Sequence, residues 1–192
     1  ADLLVTLNEV PTSNVNLTAG RRYQTANVTG TVTYEQAFDA QIAAGQDPPQ
    51  VVVAATNSST STDNFVSTNL PDQSFTLPVT PYLDNTLILV ALNGAYEQVT
   101  SFLNSTATDR HFVVEVDDLG RAKILFGDGA NGEIPAGNIA ATYQTGGGSV
   151  GNVDANTITR IERPVTDVLG ARVIATVTNP TAASGGVDRE TT

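Results

Sequence analysis

The stretch VDDLGRAKILFGDGANGEIPAG, residues 116–137, decides the fold class of this chain. It carries one turn signal at Asp118–Gly120 and a second at GDGANG (127–132), with the apolar run AKILF (122–126) between them. Asp-Gly and Asn-Gly pairs favour tight reversals between antiparallel strands, because Gly and Asn tolerate positive φ. The preceding run HFVVEV (111–116) should therefore fold back on AKILF, which indicates a β-meander and not a βαβ unit.

The remainder of the chain is also rich in short apolar and β-branched runs, separated by clusters of Pro, Gly, Asn and Asp. The clearest of these runs are QVVVAAT (50–56), SFTLPV (74–79), TLILVALNG (86–94) and NIAATYQT (138–145). Their composition and spacing predict a mainly β fold. We expect an antiparallel sandwich or meander with at most one or two short helices. Two small β domains are an alternative arrangement of the same strands.

One segment has a helical pattern. In TYEQAFDAQIAAG (33–45), Thr33 and Gln36 have the spacing of a capping box, and Gly45 is placed as a C-terminal stop. A helix here would bring four apolar residues to one face: Tyr34, Ala37, Phe38 and Ile42. The spacing therefore predicts a helix over 34–44.

The charge balance and the rare residues exclude several classes of function. Twenty acidic residues face nine basic ones, and the formal net charge is −11. This balance argues against nucleic acid as a partner, because phosphate binding needs clustered Lys and Arg. The chain has no cysteine and one histidine, His111, so thiolate chemistry, histidine metal sites and a Ser-His-Asp triad lack their residues. The sequence has no apolar run of about 18 residues, so no membrane span is predicted.

The segment TGGGSVGN (145–152) matches the dinucleotide fingerprint G-x-G-x-x-G through Gly146, Gly148 and Gly151. In nucleotide-binding proteins these glycines lie between a strand and the N-terminus of a helix, whose free N–H groups meet the phosphates. The residues that follow here, NVDANTITRIE (152–162), have no helical period. A loop with positive φ or a close backbone approach is therefore favoured over a nucleotide site, and no cofactor is predicted.

Read continuously, residues 110–153 resemble the baseplate J-like family of contractile phage tails and related injection machines. The family pattern is an aromatic-led strand, an acidic-Gly turn, FGDG..G..P.G, a strand ending in Tyr, and a GGG..GN loop. The residues that match it in order and spacing are Phe126, Gly127, Asp128, Gly129, Gly132, Pro135, Gly137, Tyr143, Gly146, Gly147, Gly148, Gly151 and Asn152. The family's usual Trp after an upstream Asn-Gly turn is absent, and Tyr96 is the nearest candidate. With its flanks, the resemblance covers about 70–192.

The resemblance implies a structural baseplate wedge protein of the virion tail, assembled in the host cytoplasm. Such proteins form six-fold rings through contacts with copies of themselves and with neighbouring wedge and hub proteins, and the resemblance implies no enzymatic activity and no small-molecule substrate. It divides the chain into a β-rich N-terminal region (1–69) with the helix, a baseplate J-like β domain (70–180) with the FGDG hairpin and the GGG..GN loop, and the start of a following region (181–192). Without an initiator Met, and with an abrupt end, the chain is expected to be a piece of a longer polypeptide.

Two other interpretations of the sequence compete with this resemblance. Four acidic residues could form a calcium cluster: Asp117, Asp118, Asp128 and Glu133. Gly127 and Gly129 occupy positions where an EF-hand loop carries Asp or Asn, so turn chemistry is favoured and no metal is predicted. The alternative function is a β-sandwich adhesion or carbohydrate-binding module of a larger surface or tail-fibre protein, although the low aromatic content leaves few platforms for sugar stacking.

Overall fold

The chain divides into two compact units in a computed structural model that describes residues 1–26 and 30–188. Unit 1 comprises Ala1–Ser59 and the described residues from Gly147 onward, and unit 2 comprises Thr60–Gly146. Unit 2 is therefore an insertion in the sequence of unit 1. The chain leaves unit 1 once and returns to it once.

In chain order the strands are β1 (Asp2–Leu7), β2 (Val15–Leu17), β3 (Arg22–Thr25), β4 (Thr33–Gln36), β5 (Ala40–Ile42), β6 (Gln50–Thr56), β7 (Ser58–Val66), β8 (Ser74–Thr76), β9 (Ile88–Ala91), β10 (Gly94–Gln98), β11 (His111–Val116), β12 (Ala122–Phe126), β13 (Asn138–Gly146), β14 (Ile158–Ile161), β15 (Val165–Thr166), β16 (Arg172–Val173) and β17 (Ala175–Thr178). Two 3-10 turns accompany them, at Phe102–Asn104 and Ser149–Gly151. Among the described residues no helix is longer than these turns, and none is long and apolar enough to cross a membrane.

Unit 1 is a nearly closed antiparallel sheet with the strand order β14-β3-β4-β6-β1-β17. Alternating apolar residues turn to its inner face, as in β1, where Leu3, Val5 and Leu7 are buried. Two small ladders, β2–β5 and β15–β16, accompany this sheet. The buried core of unit 1 consists of Leu3, Val5, Leu7, Val15, Leu17, Tyr23, Tyr34, Ile42, Val53, Ala55, Ile158, Val165, Val177 and Ala183.

Unit 2 is a second nearly closed sheet with the order β7-β13-β9-β10-β11-β12-β8. The pairs β9–β13, β9–β10, β11–β12 and β8–β12 are antiparallel, and β10 and β11 run parallel over a short ladder. At the seam between the two edge strands, Phe65 of β7 stacks on Phe75 of β8 with ring centroids 5.0 Å apart. Its buried core consists of Leu77, Tyr82, Leu87, Leu89, Ala91, Tyr96, Phe112, Ala122, Ile124, Phe126, Ile139, Ala141 and Tyr143. The predicted mainly β fold with two small domains is confirmed.

The helix predicted over 34–44 is wrong. The segment forms β4 and β5 with a bend between them, and Tyr34 lies opposite Tyr23 in the β3–β4 ladder. The four apolar residues do not share a face, since Tyr34 and Ile42 are buried while Phe38 is 74 % exposed. Tertiary pairing overrides the local helical spacing, because it buries both of these residues in the core of unit 1.

The division into 1–69, 70–180 and 181–192 also differs from the structure. Antiparallel ladders join β1 to β17 and β3 to β14, so the beginning and the end of the chain build one sheet. Residue Ala183, assigned to the start of a following region, is buried in the core of unit 1. The predicted region 181–192 extends beyond the described residues, which end at 188.

The hairpin between β11 and β12 confirms the reversal predicted at Asp118–Gly120. Phe112 pairs with Phe126 and Val116 with Ala122. The Oδ1 atom of Asp117 accepts hydrogen bonds from the N–H groups of Leu119 at 3.0 Å and Arg121 at 2.9 Å. The same turn recurs in unit 1 between β15 and β16, where Asp167 Oδ1 accepts from Leu169 and Ala171 at 3.0 and 2.7 Å. Asp-x-Leu-Gly is thus a turn module used once in each unit.

Candidate functional site

The loop between β12 and β13, called the FGDG loop from here on, is built around the carboxylate of Asp128. Its Oδ1 atom accepts hydrogen bonds from the N–H groups of Asn131 at 2.6 Å and Ala130 at 2.8 Å. These two hydrogen bonds, with that of Asn131 the stronger, hold the pKa of Asp128 below its ordinary value of 3.8. The carboxylate therefore serves as a hydrogen-bond acceptor for the N–H groups of its own turn.

We expect acid to destabilise the fold through this and similar turn carboxylates. A carboxyl group with a lowered folded-state pKa contributes stability above its ordinary pKa, and this is lost as the pH falls through the folded-state value. The free energy of unfolding should therefore fall below about pH 4. Asp128→Asn keeps the Oδ1 acceptor, so we expect near-normal stability at about pH 7 and a shallower acid loss.

Urea unfolding at a series of pH values measures both effects. The matched variant Asp128→Ala removes the acceptor and should destabilise the protein at every pH. Equal damage from Asn and Ala near neutral pH would show that the carboxylate itself, and not its role as a turn acceptor, matters.

The FGDG loop turns so tightly that its first glycine has no room for a side chain. A Cβ on Gly127 would overlap the C=O of Asn131 and lie 2.6 Å from the Cα and O atoms of Gly132. The N–H of Gly129 closes the turn by donating to the C=O of Gly132 at 3.0 Å. Gly129 and Gly132 have φ of 88° and 99°, a region that side-chain-bearing residues rarely adopt.

Backbone hydrogen bonds fasten this loop to the rest of unit 2. The N–H of Gly132 donates to the C=O of Thr106 at 3.0 Å. The Ser67 side chain donates to the C=O of Pro135 at 2.5 Å, and its N–H donates to the C=O of Gly137 at 2.8 Å. Gly132, Pro135 and Gly137, which belong to the family motif, therefore lie in a backbone segment that hydrogen bonds hold against the rest of unit 2.

A polar network surrounds Glu133, at the end of the FGDG loop. Arg110 Nε donates to Glu133 Oε2 at 3.0 Å, and Asn93 Nδ2 donates to Oε1 at 2.8 Å. Asn93 Nδ2 also donates to the hydroxyl of Tyr96 at 3.0 Å, whose ring packs edge-on against Phe126 at 5.5 Å. Tyr96 is thus buried beside the motif's first residue.

Tyr143 of β13 bonds to the edge strand β7 and to the segment that follows β8. Its hydroxyl donates to Asp63 Oδ2 in β7 at 2.7 Å and accepts a hydrogen bond from the N–H of Val79 at 3.3 Å. Burial, reinforced by the hydrogen bond to Asp63, raises the pKa of Tyr143 to about 12. The tyrosine therefore acts as a neutral link across the seam of unit 2.

The glycine-rich segment 145–152, called the GGG loop, carries the chain back from unit 2 to unit 1. Gly146, Gly147 and Gly148 have φ of 117°, 80° and 82°. The N–H of Gly147 donates to both the C=O and the Oδ1 of Asn57, at 2.9 and 3.1 Å. Asn57 and Gly147 both belong to unit 1, so these hydrogen bonds hold the loop within that unit.

Gly151 is enclosed by the same cluster. A Cβ on Gly151 would lie 2.7 Å from Asn57 Oδ1, and the C=O of Gly151 accepts a hydrogen bond from the Tyr34 hydroxyl at 2.6 Å. Asn57 Nδ2 donates in turn to the C=O of Thr33 at 2.9 Å. A close approach, and not positive φ, requires glycine here.

The far side of the GGG loop is held by the last described residues of the chain. Asn152 and Gly186 exchange two hydrogen bonds, of 2.8 and 2.9 Å. Asp188 accepts from the N–H and the hydroxyl of Ser149, both at 2.7 Å, and these bonds lower the pKa of Asp188. The N–H groups of Gly147 and Ser149, within the glycine-rich segment, therefore donate to protein atoms.

In the part of the chain that the structure describes, no set of side chains is placed to bind a metal ion. There is no group of three or more His, Asp or Glu side chains placed to hold an ion within residues 1–26 and 30–188. Of the acidic residues considered for calcium, Asp117 and Asp128 accept turn hydrogen bonds, and Glu133 pairs with Arg110.

An exposed apolar surface lies on the outer face of β9. Ile88, Val90 and the following Leu92 are 64 %, 45 % and 80 % exposed. The register places Ala95 of β10 and Ala140 of β13 on either side of Val90. β9 lies inside the sheet, between β13 and β10, and its outer surface is called the β9 face. An exposed contiguous apolar patch of this kind is typical of an interaction site.

Sequence reasoning missed the β9 face, although a signal was present. Antiparallel strands with one wet face alternate apolar and polar residues. The run LILVAL (87–92) is apolar without interruption. Its odd-numbered residues are buried, and the even-numbered ones point outward.

No family model matches the chain, and no curated protein matches it.

Proposed function

We infer that this chain is a structural component of a contractile-tail baseplate wedge, or of the baseplate of a related injection machine, and acts through protein–protein contacts in a six-fold ring. It resides in the virion tail baseplate and needs no cofactor. Its partners are copies of itself and neighbouring wedge and hub subunits.

The β9 face is the observation that carries the interaction role. Ile88 and Val90 lie on the exposed side of an interior strand and Leu92 follows it, so that burial in an interface would remove their apolar surface from water. Obligate interfaces are more apolar than ordinary protein surface, and an apolar strand face with a small alanine on each side suits a packed subunit contact.

The ordered motif of 110–153 supports the family part of the proposal. In the FGDG and GGG loops, its glycines supply positive φ or close backbone approach, and its Asp128 supplies a turn acceptor. The residues of this motif therefore fix the backbone conformation of the two loops, as expected of a subunit whose role is structural.

The alternative, a carbohydrate-binding module, depends on ring stacking against a sugar. The five tyrosines and six phenylalanines all lie in the described ranges, and of these only Phe38 has an exposed side chain. Protein contacts through the β9 face are therefore favoured over sugar stacking. Binding to a glycan array, lost in Phe38→Ala, would reverse this preference.

Charge placed on the β9 face should abolish assembly. We expect Ile88→Asp and Val90→Asp to prevent ring formation while the melting temperature stays close to that of the parent, because both side chains already face water. Electron microscopy of particles from the native host and sedimentation of the purified chain measure assembly.

Leu119→Asp is the matched control, since Leu119 is a 71 % exposed leucine at a hairpin tip of the same unit. It should assemble normally. Rings that form equally well from the β9-face variants would contradict the proposed interface.

A further inference from the structure

We propose that the β9 face of one copy packs against an apolar cleft, rimmed by arginines, on unit 1 of the next copy, so that subunits join head to tail. The inference rests on the ring assembly proposed above and adds the surface that the β9 face meets. A closed six-fold ring repeats one contact between two different surfaces of each subunit. The β9 face therefore needs a complement that lies elsewhere on the chain.

The cleft lies between the segment that follows β1 (8–13) and the β15–β16 hairpin with Ile174, and it is called the β16 cleft from here on. Its volume is about 290 Å³, close to the lower end of the ~300–1,000 Å³ of ordinary ligand clefts. Val15, which is fully buried, and Val173, which packs against the core of unit 1, also line it. An apolar side chain that enters the cleft would therefore extend an existing core.

Hydrogen bonds join the two walls of the β16 cleft. The Ser13 hydroxyl donates to Asp167 Oδ2 at 2.5 Å, and the N–H of Val168 donates to the C=O of Asn14 at 2.9 Å. The other carboxylate oxygen of Asp167 accepts from N–H groups of its own turn. The walls are therefore held in place before a partner arrives, which lowers the cost of ordering them on binding.

Large apolar side chains are exposed around the β16 cleft. Val10 and Ile174 line it, and both are exposed. Val168 and Leu169 are also exposed, and they follow Asp167, another lining residue, in the turn of the hairpin. Packing of these side chains against the β9 face would remove apolar surface from water on both copies.

The charge of unit 2 makes a neighbouring copy a suitable occupant. Within unit 2, ten acidic residues accompany three basic ones. Two of these basic side chains form ion pairs, Arg110 with Glu133 at 3.0 Å and Arg121 with Asp117 at 2.7 Å. Glu97 is exposed on the side of β10 that continues the β9 face. The β9 face therefore lies on an acidic unit and has a carboxylate beside it.

Arginines lie on the rim of the β16 cleft. Arg172 lines the cleft, and Arg163 lines the same side of unit 1, shortly before β15. Arg21 Nη1 donates to the C=O of Arg163 at 3.0 Å, which brings a third guanidinium to this side. Glu9 and Glu162 lie among them. Arginines on this surface and excess carboxylates on unit 2 favour contact between unlike surfaces over contact between two β9 faces.

Sedimentation of single and mixed variants of the full chain tests the head-to-tail contact. Ile174→Asp should remain monomeric, as Val90→Asp should, with a melting temperature close to that of the parent, because Ile174 is 68 % exposed. An equimolar mixture of these two variants retains one intact β9 face and one intact β16 cleft per pair. We expect it to form a dimer that does not grow further. Arg172→Glu should weaken the association at least tenfold.

Phe38→Asp is the matched control, since Phe38 is an exposed apolar residue of unit 1 that lies between β4 and β5 and does not line the cleft. It should assemble as the parent does. Normal assembly of Ile174→Asp, dimers of Ile174→Asp alone, a mixture that stays monomeric, or loss of assembly in Phe38→Asp would each overturn the inference. Normal assembly of the β9-face variants, or a parent chain that stays monomeric, would instead overturn the proposed assembly itself.

Discussion

Gly127→Ala is expected to lower the free energy of unfolding by about 3 kcal/mol, which corresponds to a melting temperature lower by about 6 to 12 °C. The added methyl group would overlap the C=O of Asn131 and press on the backbone of Gly132. These are main-chain atoms fastened by hydrogen bonds, so they cannot turn aside as a flexible side chain can. The FGDG loop would have to open, and with it the connection between β12 and β13.

Two alanine substitutions calibrate this result. Gly30→Ala places its Cβ where no other atom lies within 4 Å, so we expect little change. Gly129→Ala meets only the Ile134 side chain but must adopt a φ of 88°, so we expect a loss of about 1 kcal/mol. Hydrogen exchange should show the loss of protection in unit 2 for Gly127→Ala. Equal stability of the Gly127 and Gly30 variants would contradict the close approach.

Asn179→Ala is expected to destabilise unit 1 by about 3 kcal/mol, because four backbone groups, one buried and three partly buried, would lose their partner at once. The Oδ1 atom of this fully buried side chain accepts from the N–H groups of Thr157 and Ile158, both at 2.9 Å. Its Nδ2 donates to the C=O groups of Asp154 at 2.9 Å and Thr181 at 3.0 Å. The side chain is the clasp where β14 and β17 meet.

Chemical denaturation compares this variant with Asn16→Ala. The side-chain oxygen of Asn16 accepts an exposed hydrogen bond from Gln41, so its removal should change the stability little. Asn179→Asp keeps the acceptor and loses the donor, so it separates the two halves of the clasp and should also destabilise unit 1. A stability of Asn179→Ala equal to that of Asn16→Ala would show that the two strands meet without this side chain.

Local chemistry was enough to predict the reversals and the fold class. The Asp-x-Leu-Gly turn after β11 and the turn around Asp128 depend on hydrogen bonds spanning at most four residues. Positive φ at Gly129 and at Gly146–Gly148 is likewise a property of the residue type. Features that depend on neighbours along the chain can be predicted from the sequence, because the interacting residues are close together in it.

The candidate site could not be predicted in the same way, because its residues contact partners that are distant in the sequence. Nothing near the run 87–92 shows which of its two apolar faces is buried; the pairing of β9 with β10 and β13 decides it. The close approach at Gly151 likewise exists only because Asn57, far away in sequence, lies against it.

By itself, the sequence determined the mainly β class, the hairpin after β11 and the tight glycine turns. Only the tertiary structure decided that the segment 34–44 forms strands, and that one unit is inserted in the other. The pairing of β1 with β17 and of β3 with β14 joins residues more than a hundred positions apart. Such ladders form because they bury apolar side chains from distant segments in one core, and that burial outweighs the weak local preference of a short segment for a helix.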